Sequence, residues 1–447
     1  MGFPKGFLWG VSTSAYQIEG SPLADGADPS NWQRFCAPGG AGAHLAPRGD
    51  RACDHYRRWR EDVALIRELG FGSYRFSVSW SRVMPGGRVN AAGLDFYRGL
   101  ADALLEAGIQ PQITLHHWDL PAELEDRGGW LDPDLPGRFG DYAHVVASAL
   151  ADRVPMWATL NEPWVMMHEG HLTGSHPPCH RDFRELPRVS HNLLRAHGLG
   201  VQACRAAGAR SVGLVVNIEP KHPASDRPED LAAAARADAY MNRQYLDPVL
   251  LGRYPEELPE LFGAAWPEFP EDDFKLIRQP LDYLGVNYYS RGITRHDPAA
   301  PFGRWSGVPH PTHLRTEMDW EVYPEGLTET LLWLRERYGE MPLYVNENGA
   351  AFRDPDKAPP GGVQDPLRVD YFRTHILAVR DAIDRGADVR GYSAWSLLDN
   401  FEWALGFEKR FGIVHVDYDT LERTPKASAR FLSGVARSNG QSLYPPR

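Results

Sequence analysis

Residues 156–165 are MWATLNEPWV, an apolar run that becomes polar at Asn161 and Glu162. Residues 343–351, LYVNENGAA, have the same design, and their glutamate is Glu347. Short runs of apolar and β-branched residues that end in a polar turn are typical of buried β-strands. The two segments therefore predict two strands whose ends each present a carboxylate.

Six further segments with this pattern bring the number of candidate strands to eight. The full set is residues 8–14, 74–80, 110–117, 156–163, 212–218, 283–289, 343–349 and 389–397. Helical patterns lie between most of them, for example over residues 56–70, 92–108 and 328–339, and residues 220–279 contain several helical segments. Eight strands that alternate with helices predict the α/β class and a (β/α)8 TIM barrel.

No low-complexity tract or long linker divides the chain. The Pro- and Gly-rich residues 354–366 predict a loop rather than a domain boundary. Barrels with long insertions reach the present length of 447 residues as one unit. We therefore expect a single barrel domain over residues 1–447, with extended loops between strands and helices.

Charge and cysteine content narrow the classes of partner and location. The net charge is −11, and no basic stripe with interleaved aromatic residues is present, so nucleic acid is not expected as a partner. The N-terminal segment lacks the apolar core of a signal peptide, and no membrane span is expected. The cysteines at positions 36, 53, 179 and 204 form no CxxC pair, which favours reduced thiols and a cytoplasmic location.

Polar and aromatic residues follow the ends of the predicted strands. In chain order they are Gln17, His117, Asn161, Glu162, Asn287, Tyr289, Glu347 and Trp395. The carboxyl ends of the strands in such a barrel meet at the face that holds the active site. These side chains are therefore expected to converge.

Two carboxylates that flank one bond are what hydrolysis of a glycosidic bond requires, one as acid and one as nucleophile. Each glutamate alone has a structural alternative, because Glu162 before Pro163 fits a surface turn and Asn348 before Gly349 fits a hairpin turn. Their pairing at the fourth and seventh strands favours catalysis. Pro163 is expected to hold Glu162 in an extended strand end.

Two clusters of metal-binding residue types occur outside this pair. One contains His116, His117 and Asp119, and the other contains His171, His176, Cys179 and His180. Neither spacing matches a standard zinc pattern, so no metal and no other cofactor is predicted. His116 and His117 are expected to point to opposite faces of their strand, with only one in the pocket.

Nearly the whole chain, from residue 3 to about residue 429, resembles glycoside hydrolase family one, the β-glucosidase family. The motifs that carry the resemblance are FLWGVSTSAYQIEG at 7–20, residues 54–70, YRFSVSWSR at 74–82, LHHWDLP at 115–121, TLNEPW at 159–164, GVNYY at 285–289, VNENG at 345–349 and WSLLDNFEW at 395–403. The resemblance implies that Glu162 is the general acid/base and Glu347 the nucleophile. It also implies that Arg75 and Tyr289 keep Glu347 ionised.

The resemblance further implies a sugar-binding set. Gln17, His117, Asn161, Glu402 and Trp403 match positions that hydrogen-bond the hydroxyls of the sugar, Trp395 matches the ring beneath it, Trp320 matches a wall of the aglycone site, and Asn287 belongs with the substrate-binding residues. Without these motifs Trp395 and Trp403 would fit core packing. Relatives that act on 6-phosphorylated sugars place a serine near position 402, so Glu402 indicates an unphosphorylated sugar.

The expected activity is that of a retaining β-glucosidase acting on small β-glucosides or oligosaccharides through a covalent glycosyl-enzyme intermediate, with side activity on β-galactosides and β-fucosides. The alternatives are a 6-phospho-β-glycosidase, a thioglucosidase, and an inactive sugar-binding relative. Glu402 argues against the first, and Glu162 against thioglucosidases with Gln at that position. Two departures from the family are Asn346, and His171, which is expected near the aglycone side. The oligomeric state stays open.

Overall fold

The computed structural model describes residues 2–45 and 48–444. Residues 1, 46–47 and 445–447 of the predicted domain lie outside the described part. Eight parallel strands form a closed barrel in which each strand pairs with its neighbours in sequence and the last pairs with the first. They are β1 (Leu8–Ser12), β2 (Ser73–Ser77), β3 (Gln110–His116), β4 (Met156–Asn161), β5 (Ser211–Asn217), β6 (Tyr283–Asn287), β7 (Leu343–Asn348) and β8 (Val389–Trp395). All eight predicted strands and the TIM barrel are confirmed.

Helices surround the barrel and fill the long connections. The outer helices are His55–Leu69, Ala91–Glu106, Leu135–Leu150, Leu186–Ala206, Glu325–Tyr338, Pro366–Asp384 and Ala427–Arg437. The connection between β5 and β6 contains helices Pro228–Asp238, Gln244–Leu250, Glu257–Phe262 and Glu271–Ile277. The predicted helices at 56–70, 92–108 and 328–339 therefore exist, and Gly70 ends the first in the left-handed conformation.

Shorter elements lie in the loops. Helical turns occur at Ala15–Ile18, Asn31–Cys36, Trp80–Val83, Ala122–Asp126 and Pro163–Met167, and π-helical turns at His168–Thr173 and Ala239–Arg243. Short strands occur at Lys221–Pro223, Gly292–His296, Trp305–Gly307, Val414–Val416 and Arg423–Pro425. Many of these elements lie between a barrel strand and the next outer helix, where they lengthen the loops.

The barrel strands are buried on both faces. Every residue of β2, β4 and β6 is buried, because one face fills the barrel and the other packs against the helices. This explains why the strands are apolar runs rather than alternating sequences. Polar side chains enter the barrel near the carboxyl ends of the strands, where the loops begin.

A buried ionic network joins the loops after β7 and β8 to the C-terminal helix. Lys426 Nζ donates to Asp399 Oδ1 at 2.7 Å and to Asp354 Oδ2 at 2.6 Å. Arg368 pairs with Asp354 at 2.9 Å and Asp365 at 2.6 Å, and Arg410 pairs with Asp399 at 2.8 Å. Because buried charges need partners, the network fixes the loop that contains Glu402.

Among the described helices, none has the length and apolar character that a membrane crossing requires. All four cysteines have unpaired thiols, and three of them, Cys36, Cys53 and Cys204, are buried.

Candidate active site

A pocket of about 380 Å³ opens at the carboxyl ends of the barrel strands. Nine of the twelve predicted site residues line it: His117, Glu162, Asn287, Tyr289, Trp320, Glu347, Trp395, Glu402 and Trp403. The other three, Gln17, Arg75 and Asn161, are fully buried and hydrogen-bond to residues of the lining. The predicted convergence at this face is therefore confirmed.

Glu162 follows β4 directly and is only 6% exposed, which excludes the surface-turn alternative. Its backbone has φ 48° and ψ 63°, in the left-handed region. The prediction of an extended conformation was wrong, although Pro163 does keep Glu162 out of right-handed helical geometry. The Glu162 N–H donates to the Val215 carbonyl of β5 at 2.9 Å, and Pro163 begins a short helix, so the chain must turn sharply between them. Such backbone strain is typical of functional sites.

Glu347 lies inside β7, which pairs in parallel with both β6 and β8. The hairpin alternative for Asn348–Gly349 is therefore wrong. Gly349 serves close packing instead, because a Cβ atom there would lie 1.8 Å from the Trp395 carbonyl oxygen. The Glu347 carboxylate accepts hydrogen bonds from Arg75 Nη1 at 2.6 Å and from the Tyr289 hydroxyl at 2.7 Å.

The two glutamates have different electrostatic surroundings. Burial and the charge of Glu347 raise the pKa of Glu162 to about 8, and its direct partner is the neutral amide of Asn287 at 2.6 Å. Burial also raises the pKa of Glu347, but Arg75 and Tyr289 oppose this by stabilising its charge. The proton shared by this coupled pair is therefore favoured on Glu162.

Asn161 connects the polar groups at the base of the pocket. Its Oδ1 accepts from Arg75 Nη2 at 2.7 Å and from Asn287 Nδ2 at 3.0 Å. Its Nδ2 lies 3.2 Å from His117 Nε2. Burial and Arg75 lower the pKa of His117 well below its usual value, so the ring is neutral and Nδ1 carries its proton when Nε2 accepts.

The two adjacent histidines have different environments, as predicted. His117 lines the pocket, whereas His116 packs against Trp80 and Trp130 outside the barrel. Burial lowers the pKa of His116 to about 3. His116 is therefore a neutral core residue.

Glu402 is partly buried on the loop after β8 and lines the same pocket as Glu347. Gln17 Nε2 donates to the Phe401 carbonyl at 2.9 Å and reaches Glu402 Oε2 at 3.4 Å. Ser14 holds the other end of the Gln17 amide, with its hydroxyl 2.6 Å from Oε1. Burial and the charge of Glu347 raise the pKa of Glu402 to about 8.

Aromatic rings form much of the pocket wall. His117 stacks with Trp395 at a centroid distance of 5.7 Å and with Trp403 at 5.9 Å. On another part of the wall, the ring centroids of Trp320 and Tyr289 lie 5.2 Å apart. Both Trp395 and Trp403 are buried, yet each presents part of its ring to the pocket.

Sequence reasoning missed part of the pocket wall. The missed lining residues include Trp118, Trp164, Glu169, His176, Asn217, Glu219, Lys221, Met241, Met318 and Phe411. Trp118 could have been predicted, because it directly follows His117 at the end of a strand. Most of the others lie on the loops between strands and outer helices, where the sequence has no periodic pattern. His171 does not line the pocket; it is buried and lies 2.7 Å from Glu185.

Residues 1–441 match the sequence model of glycosyl hydrolase family 1. β-Glucosidase A of Acetivibrio thermocellus is 44% identical, with 98% of this chain and 99% of the relative covered. A bifunctional β-D-glucosidase/β-D-fucosidase of Bifidobacterium breve is 42% identical, with 95% and 96% covered.

Solved structures of β-glucosidases are also similar to this chain. The β-glucosidase from Thermotoga maritima in complex with deoxynojirimycin is 44% identical, with a TM-score of 0.94 and with 98% of this chain and 99% of that chain covered. The similarity thus extends over both sequence and structure along almost the full length. The chain belongs to glycosyl hydrolase family 1.

Proposed function

We propose that this glycoside hydrolase is a retaining β-glucosidase in which Glu347 is the nucleophile and Glu162 the acid/base. The observation that carries the assignment is the asymmetry between the two buried glutamates. Arg75 contacts Glu347 and stabilises its charge, whereas Glu162 has only an amide partner and a raised pKa. One carboxyl group is thus prepared to attack as an anion and the other to donate a proton.

In the first step, ionised Glu347 attacks the anomeric carbon and forms a glycosyl ester. The bond to the aglycone oxygen breaks, and Glu162 transfers its proton to that oxygen. Esterification removes the negative charge of Glu347, which is one cause of the raised pKa of Glu162. The pKa of Glu162 then falls.

In the second step, Glu162 acts as a base. It takes a proton from a water molecule while the water oxygen attacks the anomeric carbon and the bond to Glu347 breaks. Both glutamates return to their starting protonation states. Two successive inversions leave the released sugar with its original β configuration.

The sugar would bind among His117, Glu402 and Trp395. The stacked indole of Trp395 offers an apolar surface for sugar C–H groups, and the two polar residues offer hydrogen-bonding groups. Gln17 and Asn161 support these groups through the contacts described above. Trp320 lies on the part of the wall that we assign to the aglycone.

The charge of the pocket argues for an unphosphorylated sugar. Its lining contains five glutamates, at positions 162, 169, 219, 347 and 402, but only one lysine, Lys221, and that lysine is paired with Glu219. A phosphate dianion would be repelled by the ionised Glu347 and Glu169, and the described lining residues offer no free cation to bind it. The names of the relatives, two of them β-glucosidases and one also a β-fucosidase, agree with this choice.

We propose that the chain works as one catalytic domain on small β-glucosides or oligosaccharides, without a nucleic-acid partner. Its four unpaired cysteines support a reducing, cytoplasmic environment.

A panel of nitrophenyl β-glycosides tests the function. The glucoside should give the highest kcat/KM, the galactoside and fucoside should be turned over more slowly, and the 6-phosphoglucoside should react at least about a hundredfold more slowly. The Glu162→Gln/Glu347→Gln double variant, prepared in parallel, controls for contaminating activity. Preference for the 6-phosphoglucoside would reject the substrate class, and absence of turnover on every substrate would support an inactive sugar-binding protein.

A further inference from the structure

Three metal-binding side chains that the proposed mechanism does not use come together behind the pocket wall. His171 Nδ1 lies 2.7 Å from Glu185 Oε2, and His180 Nδ1 lies 2.8 Å from the same oxygen. The ligand atoms of all three residues lie within 4.8 Å of one another. Glu185 was not part of the cluster considered in the sequence, and the spacing of His171, His180 and Glu185 matches no standard zinc pattern.

The donor set suits a divalent transition-metal ion. Two imidazole nitrogens and one carboxylate oxygen are ligands that Zn²⁺, Co²⁺ and related ions prefer. Ligand atoms around tetrahedral zinc lie about 3.3 Å apart when each is about 2.0–2.1 Å from the metal. Glu185 Oε2 would therefore need to retreat by roughly half an ångström from each nitrogen, which its partly exposed side chain permits.

The backbone already holds the two histidines in place. His171 belongs to the π-helical turn His168–Thr173, an irregularity that is common at functional sites. The N–H of His180 donates to the Gly170 carbonyl at 2.9 Å, and the N–H of Asp182 donates to the His171 carbonyl at 2.8 Å. The two histidines are therefore held close together by the backbone.

Space for a further ligand adjoins the cluster. A cavity of about 20 Å³ is lined by His171, His176 and Glu125 among others, which is enough room for one water molecule. Glu125 adds a nearby carboxylate. The guanidinium of Arg184 is bound by Asp182 at 2.6 Å, which reduces its repulsion of a cation.

A second group with the same donor types is less suited to a metal ion. His310, His313 and Glu321 also bring their ligand atoms within 4.8 Å. There, however, Arg291 donates to both carboxylate oxygens of Glu321, at 3.0 and 3.1 Å. The guanidinium occupies the carboxylate and repels a metal cation.

We propose that His171, His180 and Glu185 bind one divalent transition-metal ion. The ion would tie the segment 174–185 to the π-helical turn. Glu169 and His176 connect this region to the substrate pocket, since both line the pocket and the His176 N–H donates to the Glu169 carbonyl at 3.1 Å. The ion therefore stabilises the wall on this side of the pocket.

The test is a titration of the full, chelator-treated protein with Co²⁺, followed by visible absorption and then by competition with Zn²⁺. Wild type should bind one Co²⁺ with a visible band that Zn²⁺ removes. His180→Ala and Glu185→Gln should each raise the Kd at least about tenfold, because each removes or weakens one of three ligands. His180 is 44% exposed, so its replacement should leave the fold intact, which circular dichroism checks.

His144→Ala is the matched control, because His144 is an exposed histidine on the helix Leu135–Leu150. Its Kd should equal that of wild type. The proposal is overturned if wild type shows no saturable one-to-one binding, or if His180→Ala binds Co²⁺ as tightly as wild type. The readout is independent of hydrolysis, so its outcome is separate from that of the proposed enzymatic function.

Discussion

Arg75 Nη1 lies 2.6 Å from Glu347 Oε1, and both side chains are almost completely buried. A buried ion pair of this kind stabilises the carboxylate strongly, since removal of one partner leaves an unpaired charge. The contact also separates the roles of the two glutamates, because Glu162 has no such cation.

Glu347→Ala should lower kcat by roughly four orders of magnitude, as expected when the nucleophile of a catalytic unit is lost. Azide or formate should restore part of the activity, because either anion fits the space left by the carboxylate and attacks the anomeric carbon. The rescued product should have the α configuration, which NMR identifies. Recovery of a β product would contradict the assignment, and Glu340→Ala, at an exposed glutamate, should behave as wild type.

Glu162→Ala should affect substrates according to their leaving groups. A dinitrophenyl glucoside leaves without protonation, so glycosyl-enzyme formation should be nearly preserved, whereas an alkyl glucoside should lose about 10²–10⁴-fold in kcat/KM. Pre-steady-state kinetics measures the first step separately from the second. Equal losses on both substrates would show that Glu162 does not protonate the leaving group.

The pH dependence of kcat/KM should be bell-shaped. Glu162 must be protonated, and its pKa is raised to about 8, so activity should fall as the pH rises through about 8. The acidic limb reports loss of the ionised nucleophile. Glu162→Gln, measured with an activated aryl glucoside, should remove the basic limb; its persistence would assign that limb to another group.

Protonation of Glu162 also links pH to stability. Its folded-state pKa lies above the value of an exposed glutamate, so the folded state binds more protons than the unfolded state between about pH 4.5 and 8. The associated stability is present below this window and is lost as the pH rises through it. In Glu162→Gln the free energy of unfolding should therefore depend less steeply on pH between about pH 4.5 and 8.

The buried network under the loop of Glu402 should make a large contribution to stability. Lys426→Met leaves Asp399 and Asp354 without one cationic partner, at the cost of roughly 3–5 kcal/mol in the free energy of unfolding. Urea denaturation measures this change. Lys275→Met, at an exposed ion pair, is the control and should change stability by less than about 1 kcal/mol. A small effect of Lys426→Met would mean that Arg368 and Arg410 suffice to hold the loops.

The barrel and the glutamate pair were predictable because their signals are local. Each strand is a short apolar run, and Glu162 and Glu347 follow directly from such runs. The left-handed backbone of Glu162 was not predictable, since the hydrogen bond that fixes it comes from β5. The sequence likewise does not predict that the Asn161 side chain hydrogen-bonds to both Arg75 and His117.

The site residues that the sequence did not predict lie mainly on the loops. Glu169, His176 and Lys221 line the pocket, but their positions depend on how the segments after β4 and β5 fold over the barrel. The cluster of His171, His180 and Glu185 depends on the same folding. The irregular sequence spacing of these side chains provides no periodic signal for such encounters.

Glu402 is expected to recognise the sugar, and its protonation should respond to sugar binding. In the pocket without sugar, burial and Glu347 raise the pKa of Glu402 to about 8. Sugar hydroxyls at C4 and C6 that donate to its oxygens would favour the charged form and lower that pKa. Binding of glucose should therefore release part of a proton, which calorimetry in buffers of different ionisation enthalpy measures.

Glu402→Ala should lower kcat/KM for a β-glucoside at least about a hundredfold. Two charge-assisted hydrogen bonds are lost, at about 1.5–3 kcal/mol each, and every 1.4 kcal/mol corresponds to about a factor of ten. A β-fucoside lacks the C6 hydroxyl, so the loss on that substrate should be smaller. Glu408→Ala, on the same loop but with an exposed side chain, should leave both rates unchanged. If Glu402→Ala retains glucoside activity within a few-fold, the sugar is not recognised through this carboxylate, and the preference for glucose must arise elsewhere in the pocket.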